Sequence, residues 1–185
     1  LGAQAGAPTF HSVAYDLDFN YRMNEPTAAV ALAQLEVTPA FITQLRKNAG
    51  YYDEAVAGCW WIKLQRGPAG ADHSYYHWAA TFCGDEQGLS LADFKSAIEA
   101  EGFDSISVGY TGFPAYKHPL IGERKAHAFH CPENEGHSAN YDDGACPVAE
   151  RVVPRIILGY VAEPEETAKK EAEKLHRVVS RLQGG

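Results

Sequence analysis

Asp16-Leu17-Asp18-Phe19-Asn20-Tyr21-Arg22-Met23-Asn24-Glu25-Pro26-Thr27-Ala28-Ala29 is the point at which a polar, extended segment turns into a helix. Glu25 and Pro26 suit a first helical turn. The acid favours the positive end of the helix dipole, and proline there gives up only an N–H that has no intrahelical partner. Asn24 is then the cap, its side-chain oxygen taking a free backbone N–H. Beyond it Ala28, Ala29, Ala31, Leu32, Ala33 and Leu35 leave almost no polar face, which predicts a helix that is buried or pressed against a partner. Asn20 and Arg22, just ahead of it, are placed to aim polar side chains inward.

The chain has 185 residues, 45% of them hydrophobic, enough for one core and a little more than one small domain. A formal charge of -8 argues against a nucleic-acid surface, which needs clustered Lys and Arg. No uninterrupted apolar run approaches the roughly 18 residues that span a bilayer, and Leu1 to Gly6 has neither the basic region nor the apolar core of a signal peptide. The expectation is a cytoplasmic protein without a membrane partner. Cys59, Cys83, Cys131 and Cys146 form no Cys-x-x-Cys pair and read as ordinary thiols. A start at Leu1 instead of methionine points to a processed chain or a fragment.

In chain order, Thr38-Pro39 reads as the cap and first position of a second helix, with Ile42, Leu45, Ala49, Tyr52 and Val56 as its apolar stripe and Gly58 as its end. Cys59 to Leu64 is a short aromatic strand, and Gly67 to Asp72 is a loop that marks a boundary, giving regions 1–66 and 67–185. Tyr75 to Phe82 is a more central strand. Ser90 to Asp93 has the form of a capping box opening a helix that Gly102 closes, and Ile106 to Tyr110 is another strand. Residues 111–147 are rich in Gly, Pro, His and Asn, a length of loop that is usually functional or mobile. Cys146 to Val152 reads as a short helix, Ile156 to Gly159 as a strand, and Pro164 to Leu182 as a terminal amphipathic helix with acids at its start. This order predicts an α/β sandwich with helices on one sheet face.

The segment Phe19-Asn20-Tyr21-Arg22-Met23-Asn24 with its small-residue helix to Gln34-Leu35, the run His73-Ser74-Tyr75-Tyr76, Tyr110 with Pro114 and His118-Pro119, and Cys146-Pro147-Val148-Ala149-Glu150-Arg151 before Ile157-Leu158-Gly159 together resemble the DegT/DnrJ/EryC1/StrS aminotransferases. These enzymes use pyridoxal phosphate (PLP) and act on nucleotide-linked keto sugars and on aminocyclitols. The matches follow the family's order over nearly the whole chain, and at Tyr76 many members carry histidine or tryptophan instead. The resemblance implies the small C-terminal domain of a fold-type-I PLP transferase, a short, mainly antiparallel sheet with helices on one face, preceded by helices that end the large cofactor domain. It places the Schiff-base lysine upstream, because none of Lys47, Lys63, Lys95, Lys117 or Lys125 lies in the family's serine-x-x-lysine context. No catalytic residue is therefore expected here, and the chain alone is expected to be inactive.

By the same resemblance Asn20 reaches the PLP phosphate of the neighbouring subunit of a homodimer formed through the Asn20 to Leu35 region, and Arg22 lies on the substrate side. An amide and a guanidinium both donate to anions, the latter in a rigid fork. The plainer reading makes Asn20 a turn residue and pairs Arg22 with Asp16, Asp18 or Glu25. Tyr110, Tyr116 and His118 are candidates to stack on or hydrogen-bond a sugar or cyclitol, or equally to pack their loop. The amino donor implied is glutamate or glutamine. Two other classes stand beside this: a non-catalytic or regulatory relative, and a zinc site built from His127, His130, Cys131, His137 and Cys146, whose spacing fits no regular finger.

Overall fold

The computed structural model describes residues 22–125, 127–131 and 141–184, which fall into two units, one ending at Pro39 and one beginning at Ala40. Asn24 caps helix α1 (Glu25–Ala55) as its sequence predicts, its Oδ1 accepting from the Thr27 N–H at 2.9 Å. The expected restart at Thr38-Pro39 does not occur. Pro39 lies inside one continuous helix, and the Thr38 hydroxyl bonds the Gln34 carbonyl at 2.8 Å. Proline costs a helix one hydrogen bond and a steric clash, but the helix formers Ala33, Gln34, Leu35 and Glu36 before it and Ala40 after it continue the same turn. Within this chain the first half of α1 is not buried: Val30, Leu32, Leu35 and Val37 are exposed. By length and composition α1 also meets the threshold of a membrane-crossing helix, with a mean hydropathy of 1.3 over an 18-residue window. Thr27, Gln34, Glu36 and Thr38 interrupt its apolar residues, so that no unbroken apolar run marks it.

The second unit is built on a four-stranded sheet in the order β1 (Ile62–Leu64), β2 (Trp78–Phe82), β4 (Ile156–Gly159), β3 (Ile106–Val108), with each neighbouring pair antiparallel. Alternation sorts its residues. Trp78, Ala80 and Phe82 of β2, with Ile62, Ile106 and Ile157, are buried in one core with Leu45, Ala49 and Tyr52 of α1, Phe94 and Ile98 of α2 (Leu91–Glu101), and Ala168, Leu175 and Val178 of α5 (Glu165–Gln183). The opposite positions Lys63, Ala79, Thr81, Ser107 and Leu158 are half-buried or exposed. Helices thus cover one sheet face, as the sequence predicts.

Aromatic rings fill the centre of that core. Phe82 stacks on Phe94 with centroids 5.1 Å apart, Trp61 meets Phe94 edge-on at 5.5 Å, and the buried Trp78 finds its polar partner in Asp53 Oδ1 at 2.8 Å. Gly159 lies against Trp78, where a Cβ would meet Cε3 at 3.3 Å. Ser90 caps α2 through the Asp93 N–H at 3.0 Å, and Gly102 ends it at φ 70.

Candidate functional site

The stretch after β3 carries three of the residues singled out from sequence. Gly109 donates to the Ile156 carbonyl at 2.8 Å, the last tie to the sheet, and the chain then turns through Tyr110 at φ 41 and Gly112 at φ 78. A positive φ is unusual for an aromatic residue and is held in place by its surroundings. Tyr110 is 69% exposed.

The residues that follow are tied down across sequence. Ala115–Lys117 forms a 3₁₀ turn, and His118 Nδ1 accepts from the Leu120 N–H at 3.2 Å to cap the short helix α3 (Pro119–Gly122). The Tyr116 hydroxyl donates to Glu150 of α4 (Pro147–Val152), and the Gly144 N–H reaches the same carboxylate at 2.8 Å. Burial and the Glu150 bond push the Tyr116 phenol up to about 12, and the Tyr116 bond holds Glu150 below its ordinary value. Lys117 pairs with Asp143, while Arg124 stacks over Phe129 and Tyr141, with its guanidinium carbon 6.0 and 5.8 Å from their centroids. The described part of the loop expected from composition is therefore a chain of short turns.

Of the predicted site residues, Tyr110, Tyr116 and His118 share this surface, but no bond or ring contact joins them to one another among the described residues. Tyr116 and His118 have structural partners, whereas Tyr110 stands out into solvent. Arg22 belongs to the N-terminal unit and is exposed; Asn20 lies outside the described residues. So does His137, and among the described residues no group of three or more His, Cys, Asp or Glu is placed to hold a metal.

Sequence reasoning passed over a groove of about 740 Å³ on the open sheet face, lined by Lys63, Thr81, Asp85, Glu86, Arg151 and Arg155 among others. Arg155 grips Asp85 Oδ2 through Nε at 3.1 Å and Nη2 at 2.7 Å. The only local signal is the i, i+4 spacing of Arg151 and Arg155, which puts both on one side of the chain.

A model of the DegT/DnrJ/EryC1/StrS aminotransferase family matches residues 2–157. The chain belongs to that family. Solved structures agree at the level of fold. A DegT/DnrJ/EryC1/StrS aminotransferase from Brucella abortus aligns with TM-score 0.58 and 20% identity over 89% of this chain and 37% of its own. DesI, solved in the presence of its TDP-sugar product, aligns with TM-score 0.53 and 19% identity over 88% and 37%. The GDP-4-keto-6-deoxy-D-mannose-3-dehydratase of E. coli, solved with hydrated PLP, aligns with TM-score 0.54 and 16% identity over 96% and 41%. This chain therefore spans about two fifths of the length of its solved relatives. No curated protein sequence matched.

The DegT-family cofactor needs a lysine that can lose its proton and a cradle for its phosphate. The described residues do not by themselves fit that need. Lys47 sits 2.7 Å from Glu165, Lys169 2.9 Å from the same residue, and Lys174 2.6 Å from Glu171. Lys117 and Lys125 pair with Asp143 and Glu123. A carboxylate partner keeps an ammonium protonated: the hydrogen bonds to Glu165 and Glu171 raise the pKa of Lys47, Lys169 and Lys174. Lys63 and Lys170 are exposed and Lys95 is half-buried.

Proposed function

We propose that this chain is the C-terminal portion of a PLP-dependent aminotransferase that moves an amino group from glutamate or glutamine to a nucleotide-linked keto sugar or keto-cyclitol. The observation that carries the reading is the family match over residues 2–157 in a chain covering only 37–41% of its solved relatives. The rest of such an enzyme supplies the Schiff-base lysine and most of the PLP contacts. Most of the described lysines are engaged by carboxylates or open to solvent, which supports that division.

In this reading the protein is cytoplasmic and works as a homodimer through the Asn20 to Leu35 region. The exposed Val30, Leu32 and Leu35 support such an interface, since apolar side chains left on water gain by being covered. Asn20 donates to the PLP phosphate of the neighbouring subunit. Arg22 lies on the substrate side of that site, and the loop bearing Tyr110, Tyr116 and His118 borders the substrate, with the exposed Tyr110 offering a face to a hydroxylated ring.

Two measurements test the reading. In the complete protein, Asn20→Ala is expected to weaken PLP binding at least tenfold; unchanged affinity removes the phosphate contact. Turnover of a nucleotide-linked keto sugar with glutamate is expected to give the amino sugar. One solved relative is named a dehydratase, so the assay also follows loss of water, and a dehydrated product without amino transfer would replace the reaction proposed here.

A further inference from the structure

A run of polar contacts crosses the core of the second unit. The Tyr52 hydroxyl of α1 lies 2.9 Å from Glu163 Oε1 and 3.0 Å from Ser105 Oγ, and Ser105 Oγ lies 3.0 Å from Glu171 Oε2 of α5. Glu163 is 9% exposed, Glu171 2% and Tyr52 not at all. The backbone of Glu163 is pinned as well: its carbonyl accepts from Asn48 Nδ2 at 2.9 Å and from Gln44 Nε2 at 3.1 Å.

Counting protons decides the charge state of this run. Glu163 to Tyr52, Tyr52 to Ser105 and Ser105 to Glu171 are three contacts in series, and each needs one hydrogen between its oxygens. The two hydroxyls supply two. With both carboxylates ionised, one contact is a bare pair of oxygens about 3 Å apart in a medium that screens poorly, which is costly. One more proton completes the series, and it must enter at one end.

Glu171 is the wrong end. Its Oε2 also accepts the N–H groups of Asp104 at 3.0 Å and Ser105 at 3.2 Å, and its Oε1 accepts Lys174 Nζ at 2.6 Å. A carboxyl with donors on both oxygens has nowhere to point a proton. Burial pushes its pKa up, but Lys174, Ser105 and Asp104 together hold it below the ordinary value. Among the described residues no cation pairs with Glu163. From α1 it meets Tyr52, from the turn before β3 Ser105 and Asp104, and from α5 Glu171, so that the charged groups among them are both negative.

We infer that Glu163 is held as a neutral carboxylic acid that donates to Tyr52, Tyr52 to Ser105 and Ser105 to ionised Glu171, so that a single buried proton ties α1, the turn before β3 and α5 together. The tie is a pH-sensitive element of the fold. Burial raises the pKa of Glu163, the Tyr52 and Ser105 bonds oppose this, and the charges of Glu171 and Asp104 add to the rise. A raised folded-state pKa means that the unfolded chain releases its proton first as pH climbs. The stabilisation is thus complete below the ordinary glutamate pKa of about 4.3 and is lost as pH rises through that of Glu163. Glu171 has the opposite sign: its contribution is present above the ordinary value and is lost as pH falls.

Carbon-13 NMR titration of the glutamate side chains in the full 185-residue chain, with Glu163→Gln beside it, tests the assignment. The expected result is a Glu163 carboxyl that titrates above the ordinary glutamate value. The Gln variant, whose amide also donates to Tyr52, should lose the fall in unfolding midpoint on the alkaline side of that titration. A Glu163 titrating at or below the ordinary value overturns the inference, as does a Gln variant that keeps the wild-type pH profile. If the variant does not fold, the titration of the unmodified chain decides alone.

Discussion

The first half of α1 and the whole of α5 show two ways for a helix to be apolar. Helix α5 is charged along most of its surface and keeps one stripe, Ala168, Ala172, Leu175, Val178 and Val179, which is buried within the chain. The first half of α1 has small and apolar residues all round and buries almost none of them: Leu35 is 66% exposed. A stripe needs one neighbour, and α5 finds it in its own unit. A helix without a polar face needs neighbours on several sides, which in the proposed function come from a second copy and from the rest of the enzyme.

The comparison breaks most sharply in the core that α5 covers. Phe82→Ala is expected to cost about 3–5 kcal/mol and to leave the second unit largely unfolded at ambient temperature, as read by chemical denaturation. A cost under about 1 kcal/mol would mean that the stack of Phe82 on Phe94 does not organise this core. Leu175→Ala on α5 should cost about 2–5 kcal/mol in the same experiment. Ser90→Ala, which removes a side-chain cap from α2, should cost about 1 kcal/mol. Leu32→Ser, on the exposed part of α1, should change the stability of this chain by less than about 0.5 kcal/mol. In the complete protein the same change should weaken dimerisation, measured by sedimentation. A large stability loss in the chain alone would instead mean that this face is already packed within it, and detergent dependence of the unmodified chain would favour a lipid surface as its neighbour.

What could be read in advance was local. Ser90 with Asp93 and Gly102 bounded α2 to within a residue, since a cap is a contact over three positions, and the stripe of α5 recurs within one turn. Thr38-Pro39 misled because a cap followed by proline opens most helices that contain it; here flanking helix formers carried α1 through. Longer-range partnerships left no trace in the chain. Tyr116 meets Glu150 across 34 positions, Arg155 meets Asp85 across 70, and Ser105 meets Glu171 across 66. Buried Glu163 sat in a stretch that read as an ordinary polar helix start, and Glu171 among the charged residues of the terminal helix. Motif order named the family, but only the fold showed that Tyr116 and His118 hold their own loop while Tyr110 stands free.

Reducing the complete, PLP-loaded protein with borohydride and locating the modified lysine by peptide mass spectrometry tests the central claim most directly. The account predicts one stable adduct, on a lysine outside these 185 residues, and none when this chain alone is treated with PLP and reduced. A specific, stoichiometric adduct on Lys63, Lys95 or any other lysine of this chain would contradict it.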